Sequence, residues 1–295
     1  MNKPLFTGLC TALVTPFRED RVDFTMLERL IRRQIDAGAD AIVLAGTTGE
    51  SPTLTVEEKL DIFRCGVQTA AGKCKIIAGT GSNCTAKAVS LSARAAEAGV
   101  DGLLVVTPYY NKSTQPGLIQ YYTAITRAAS IPVIAYNVPS RTGVDIRVET
   151  CRALAEIPGI AGIKEASGDI SKVVKIIAAC EDDLPVYSGN DDQTLPMMAL
   201  GAQGVISVVS NVAPKATKAL TDACLSDDYH LARMLHGRLH KLMELMFCQV
   251  NPIPVKSAMA LLDYDCGPCR SPLDELPDAD RQKLLDCLDE LGILG

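Results

Sequence analysis

Eight short apolar runs, each followed by a longer segment carrying apolar residues at helical spacing, leave this chain few ways to fold. The runs are Gly8–Val14, Ala41–Ala45, Lys75–Ala78, Gly102–Thr107, Pro132–Asn137, Ile160–Lys164, Val186–Ser188 and Gly204–Val209. Each is short enough for a strand buried on both faces, as strands of a parallel sheet are. Between the first two, Asp23 stands where a helix N-cap belongs, Phe24, Leu27, Leu30, Ile31, Gln34 and Ile35 follow at helical spacing, and Gly38 marks the stop. A weak repeat reinforces the alternation: Ala37-Gly38-Ala39-Asp40-Ala41, Ala98-Gly99-Val100-Asp101-Gly102 and Leu200-Gly201-Ala202-Gln203-Gly204 each lead a helix end into a strand. Eight strand-helix units within about 225 residues predict an α/β fold, a (β/α)8 TIM barrel, over an open doubly wound sheet. The first strand also runs into Val14-Thr15-Pro16-Phe17, with no glycine-rich dinucleotide fingerprint.

After residue 226 the strand signal stops, and helical segments near 227–247, 253–263 and 278–292 remain. The expected division is a barrel over 1–226 and a C-terminal helical appendage over 227–295, joined without an obvious flexible linker. At 47% hydrophobic, the 295 residues suffice for one large core. A net charge of −6 repels phosphate, which argues against nucleic acid or an anionic membrane as partner. No apolar stretch reaches the roughly 18 residues of a membrane span, and Met1-Asn2-Lys3-Pro4-Leu5-Phe6-Thr7-Gly8 lacks the apolar core of a signal peptide. Eleven cysteines, an odd number mostly placed singly, fit a reducing compartment better than a disulfide framework, so a cytoplasmic location is expected.

In a barrel the active site gathers at the C-terminal ends of the strands. The sixth strand ends on Lys164, and removing an ammonium from water favours the neutral amine that attacks a carbonyl. The plainer possibility is an ion pair with the adjacent Glu165. The second strand ends in Gly46-Thr47-Thr48-Gly49-Glu50, a turn whose N–H groups and hydroxyls suit a small carboxylate or phosphate, or merely cap the next helix. The fourth ends in Tyr109-Tyr110 and the fifth in Tyr136-Asn137-Val138-Pro139-Ser140-Arg141-Thr142-Gly143. Tyrosines converging on an imine-forming lysine would relay protons, and Arg141 would clamp a second carboxylate with paired hydrogen bonds. His230, His236 and His240 all fall in the C-terminal part, so the barrel offers no Ser-His-Asp triad and no histidine metal site. Cys266-Gly267-Pro268-Cys269 copies a redox spacing, yet it reads as a loop rather than the helix start that such chemistry uses.

Taken in order and spacing, Gly46-Thr47-Thr48-Gly49-Glu50, the Tyr136–Gly143 stretch and Gly162-Ile163-Lys164-Glu165-Ala166-Ser167-Gly168-Asp169 resemble the dihydrodipicolinate synthase family. The likeness runs from Phe6-Thr7-Gly8 through Asn251-Pro252-Ile253-Pro254-Val255-Lys256. It implies a Schiff-base aldol enzyme of the pyruvate-dependent aldolase superfamily, condensing pyruvate with L-aspartate 4-semialdehyde in lysine and diaminopimelate biosynthesis, with no cofactor. By the resemblance, Lys164 forms the imine, Thr47 and Thr48 hold the pyruvate carboxylate, and Tyr136 is the central acid/base. Thr47 links Tyr136 to Tyr110, which is borrowed from a neighbouring subunit. Arg141 receives the semialdehyde carboxylate, while Gly189 and Ile206 line the pocket. A homotetramer, a dimer of dimers, is implied. N-acetylneuraminate lyase and 2-keto-3-deoxy sugar-acid aldolases share the lysine and tyrosine; Arg141 together with Thr48 favours the synthase. Lysine-inhibited members carry histidines and a glutamate where Val56, Lys59 and Lys87 stand here, although Ser51, Asn83 and Tyr109 remain, so weak or absent inhibition by L-lysine is expected.

Overall fold

A computed structural model describes residues 4–294, so the first three residues of the amino-terminal stretch discussed above lie outside it. Among the described residues ten strands form: β1 (Gly8–Ala12), β2 (Phe17–Arg18), β3 (Arg21–Val22), β4 (Ala41–Leu44), β5 (Lys75–Gly79), β6 (Gly102–Val106), β7 (Val133–Asn137), β8 (Ile160–Glu165), β9 (Val186–Ser188) and β10 (Gly204–Ser207). Eight of them close a parallel barrel in the order β1-β10-β9-β8-β7-β6-β5-β4, with β2 and β3 as a separate antiparallel pair. The (β/α)8 barrel expected from the alternation is therefore present.

The repeated glycine segments show why the strands start where they do. Gly38, Gly99 and Gly201 have φ of 82°, 88° and 109°, a left-handed turn out of each helix that a β-carbon disfavours. In the first two segments the acid that follows then ties neighbouring strands together. Asp40 accepts the Leu9 N–H at 2.8 Å, and Asp101 accepts the Ile76 N–H at 2.9 Å. Asp23 caps the helix Phe24–Asp36 through the Met26 N–H, as its position in the sequence predicts.

Alternation along each strand divides the apolar residues into two layers. Cys10, Ala12, Val43, Ile77, Leu104, Ile134, Tyr136, Tyr187 and Ile206 fill the barrel interior, where Tyr187 stacks on Phe6 at 4.4 Å between ring centroids. Leu13, Ile42, Leu44, Val133, Ala135, Ile163 and their neighbours face outward and pack under the helices. Beyond the barrel lie the helices Tyr229–Leu245, Ile253–Leu261 and Asp278–Glu290. None of the described helices is long and apolar enough to cross a membrane.

Candidate active site

Lys164 sits one residue before the end of β8 and is 5% exposed. Ile163 and Glu165 face outward, so Lys164 turns into the barrel, in register with Tyr136 of β7. Its Nζ lies 4.4 Å from the centroid of the Tyr136 ring. The ion pair with Glu165 does not form. Glu165 instead accepts from Asn137 Nδ2 at 2.9 Å and from the Ser167 N–H at 2.6 Å, and its other neighbour is Lys172 Nζ at 3.4 Å. With its neighbouring carboxylate engaged on the opposite face, the Lys164 amine stays available to the cavity.

That cavity, about 190 Å³, is walled by Thr47, Thr48, Tyr136, Arg141, Lys164, Gly189 and Asn251 among others. Gly189 comes so close that a β-carbon there would lie 2.6 Å from the Ala166 β-carbon and 3.0 Å from Lys164 Cε. Only a bare backbone lets the lysine stem pass. Ile206 is fully buried in the barrel interior and does not reach the wall of this cavity. A second cavity of about 350 Å³ shares Thr47, Tyr136 and Arg141 with the first and extends to Ser51, Lys59 and Tyr109. A larger groove, about 1120 Å³, lies elsewhere, between the helix Phe24–Asp36, residues 212–216 and the C-terminal segments, and holds none of these residues.

Ala45 and Glu50, either side of the Gly-Thr-Thr-Gly turn, have left-handed φ of 50° and 55°. Thr15 clamps the turn by donating its hydroxyl to the Gly49 carbonyl at 2.7 Å. It is not the cap of the next helix. That role falls to Thr55, which forms a reciprocal capping box with Glu58 at the start of Val56–Ala70. The turn's groups are thus free to face the cavity.

Arg141 stands on a four-residue helix, Pro139–Thr142, exposed and without a side-chain partner among the described residues. Asn137 anchors this loop by accepting the Ile146 N–H at 2.9 Å while donating to Asp145 and Glu165. Tyr110 is 91% exposed with φ of 70°, and it lines neither cavity of its own chain. Behind β10, Asp191 accepts from the Ser207 hydroxyl and from the Val208 and Val209 N–H groups; burial raises its pKa against these bonds. Burial also pushes the Cys10 thiol up, so this interior cysteine stays protonated.

The sequence motifs did not reveal the supports: Asn137 and Glu165 under the arginine loop, and Asn251 and Lys256 against the threonine turn. Asn137 was available inside its own motif. Asn251 and Lys256 lie some two hundred positions from their partners, where no local spacing signals contact. The Cys-x-x-Cys occupies a loop, as predicted, and burial pushes Cys266 up to about 12 and Cys269 up to about 11. Both shifts run opposite to what a reactive thiolate requires.

Comparison with known proteins gives a consistent result. The profile of the Dihydrodipicolinate synthetase family matches residues 5–291. The 4-hydroxy-tetrahydrodipicolinate synthase of Thermoanaerobacter sp. (strain X514) is 46% identical over 292 residues, covering 99% of this chain and 98% of that protein. The crystal structure of dihydrodipicolinate synthase from Aquifex aeolicus superposes with a TM-score of 0.96 at 44% identity, covering 98% of this chain and 99% of that one. A chloride-inhibited dihydrodipicolinate synthase from Acinetobacter baumannii, solved with pyruvate, superposes at 0.95 with 42% identity, covering 97% of this chain and 99% of that one. With its strand-end lysine, threonine turn and arginine loop carried on the same barrel over nearly the whole length, the chain belongs to the dihydrodipicolinate synthetase family.

Proposed function

We propose that the chain acts as a 4-hydroxy-tetrahydrodipicolinate synthase, condensing pyruvate with L-aspartate 4-semialdehyde through a Schiff base on Lys164, in lysine and diaminopimelate biosynthesis. The observation that carries the reading is the buried Lys164 amine, 4.4 Å from the Tyr136 ring, in a cavity walled by Thr47, Thr48 and Arg141. The Lys164 amine adds to the pyruvate ketone and water leaves, giving an iminium that draws electrons from the neighbouring methyl group. Tyr136, next to the amine, passes protons during imine formation and again as the methyl proton departs. The enamine then attacks the aldehyde carbon of the second substrate. Thr47 and Thr48 receive the pyruvate carboxylate, and Arg141, at the outer edge of the cavity, pairs with the semialdehyde carboxylate. Gly189 keeps the stem of Lys164 clear, and Ile206 backs the pocket from the interior. This chemistry uses protein side chains and calls for no cofactor.

Tyr110 is exposed and lines neither cavity of its own chain, which fits delivery to a second copy and a homotetramer built as a dimer of dimers. A cytoplasmic location, and a barrel over 1–226 followed by a helical appendage over 227–295, complete the proposal. Pyruvate with borohydride is expected to mark Lys164 by mass mapping, alongside turnover in an assay with the semialdehyde. An adduct without that turnover moves the assignment to a sugar-acid lyase, and no adduct removes the lysine chemistry.

A further inference from the structure

We propose that Asn251 is a positioning residue of the threonine turn, holding the Thr48 hydroxyl so that its hydrogen is offered to the substrate carboxylate. The inference rests on the reading that this turn receives pyruvate. Asn251 precedes the helix Ile253–Leu261, is 5% exposed and forms part of the wall of the Lys164 cavity. Its Nδ2 donates to Thr48 Oγ1 at 3.0 Å, and both side chains are buried. A hydroxyl has one hydrogen to give, and one that already accepts from an amide is free to direct that hydrogen elsewhere. The resulting chain, amide N–H to hydroxyl to carboxylate, has each member donating to the next, and such bonds strengthen one another in a dry site. The opposite amide orientation would turn the hydroxyl toward Asn251 and aim its lone pairs at the carboxylate.

Two further observations support the assignment. The Asn251 Oδ1 is buried with no hydrogen-bond partner. A buried acceptor left unmade is destabilising, so packing alone does not account for an amide here. The same C-terminal segment also grips the other end of the turn. Lys256 Nζ donates to Glu50 Oε1 at 2.7 Å, with side chains 4% and 0% exposed, and the Arg270 N–H donates to Glu50 Oε2 at 2.8 Å. The turn is therefore held at Thr48 and at Glu50 from outside the barrel, and Asn251 is the contact that reaches a substrate-facing group.

The test is steady-state kinetics of Asn251→Ala and Asn251→Ser, alone and combined with Thr48→Val, with thermal melting of each. Asn251→Ala is expected to raise the KM for pyruvate about tenfold, the scale of one weakened charge-assisted hydrogen bond. The KM for the semialdehyde should stay within about twofold, and kcat should fall less than the pyruvate KM rises. Asn251→Ser, which keeps a small donor, should give an intermediate pyruvate KM and serves as the reading if the alanine variant melts too low to assay. In the Thr48→Val background either substitution should add nothing, because the hydroxyl it orients is gone. An unchanged pyruvate KM, or an effect that persists in full without the Thr48 hydroxyl, overturns the inference. Failure of the underlying reading looks different: the wild-type protein would then form no borohydride-trapped pyruvate adduct at all.

Discussion

Lys164 depends on what is missing beside it. The space for its stem exists because position 189 has no side chain, and a methyl there would press against Lys164 Cε at 3.0 Å and the Ala166 β-carbon at 2.6 Å. Gly189→Ala is therefore expected to displace the amine and lower kcat about a hundredfold, because misplacing a reacting group by about an ångström costs that much. Melting temperature should change far less than activity. Borohydride trapping at saturating pyruvate would check this, and a wild-type trapping rate would count against the packing argument. At this scale the sequence was informative about chemistry and silent about partners. Lys164, Thr47, Thr48, Tyr136 and Arg141 were legible as residue types at strand ends, whereas the choice between nucleophile and ion pair was not. Strand alternation removes the ion pair, by sending Glu165 outward to Asn137 and Lys172.

Among the elements, the loop after Leu261 does more than join two helices. Arg270 bonds both oxygens of Glu58 at 2.6 and 3.0 Å, while Glu58 caps the start of Val56–Ala70. These bonds hold the Glu58 carboxyl at about 2, well below its ordinary 4.5. Because the folded value is depressed, the stabilisation is fully present above pH 4.5 and is lost as pH falls toward 2. Glu58→Gln should lower Tm by a constant amount above that window and converge on the wild type within it. A difference that does not vary with pH would contradict the assignment. The barrel strands were legible to within one or two residues, since burial on both faces leaves continuous apolar runs. The pair β2–β3 and the helix Pro139–Thr142 were not, because two-residue strands and a single helical turn are too short to show a period.

For the whole molecule, Tyr110 is the telling residue, 91% exposed and held at a left-handed φ of 70°. Such a backbone is strained for a bulky side chain. If it serves a neighbour's cavity, Tyr110→Phe and Lys164→Ala proteins, each nearly inactive, should regain activity when refolded together as mixed oligomers. No recovery would place the proton relay within one chain. The second cavity bears on regulation. Lys59 lines it beside Ser51 and Tyr109, and Lys87 stands exposed on the helix Thr85–Glu97. A cationic amino acid meets repulsion there where a carboxylate would attract it. L-Lysine is expected to inhibit weakly or not at all, and half-inhibition below about 1 mM, a binding free energy beyond about 4 kcal/mol, would refute that.

The sequence by itself determined the barrel and which candidate side chains gather at its mouth. Periodic burial fixes where strands and helices fall, and strand ends fix which side chains face one mouth. Only the tertiary structure decided how those groups are held. The grip of Asn251 on Thr48 and of Lys256 on Glu50 crosses 203 and 206 positions, and the anchoring of the arginine loop through Asn137 crosses 28 to reach Glu165. Such contacts depend on buried hydrogen-bonding groups meeting across the fold, which no local pattern of hydrophobicity or spacing records.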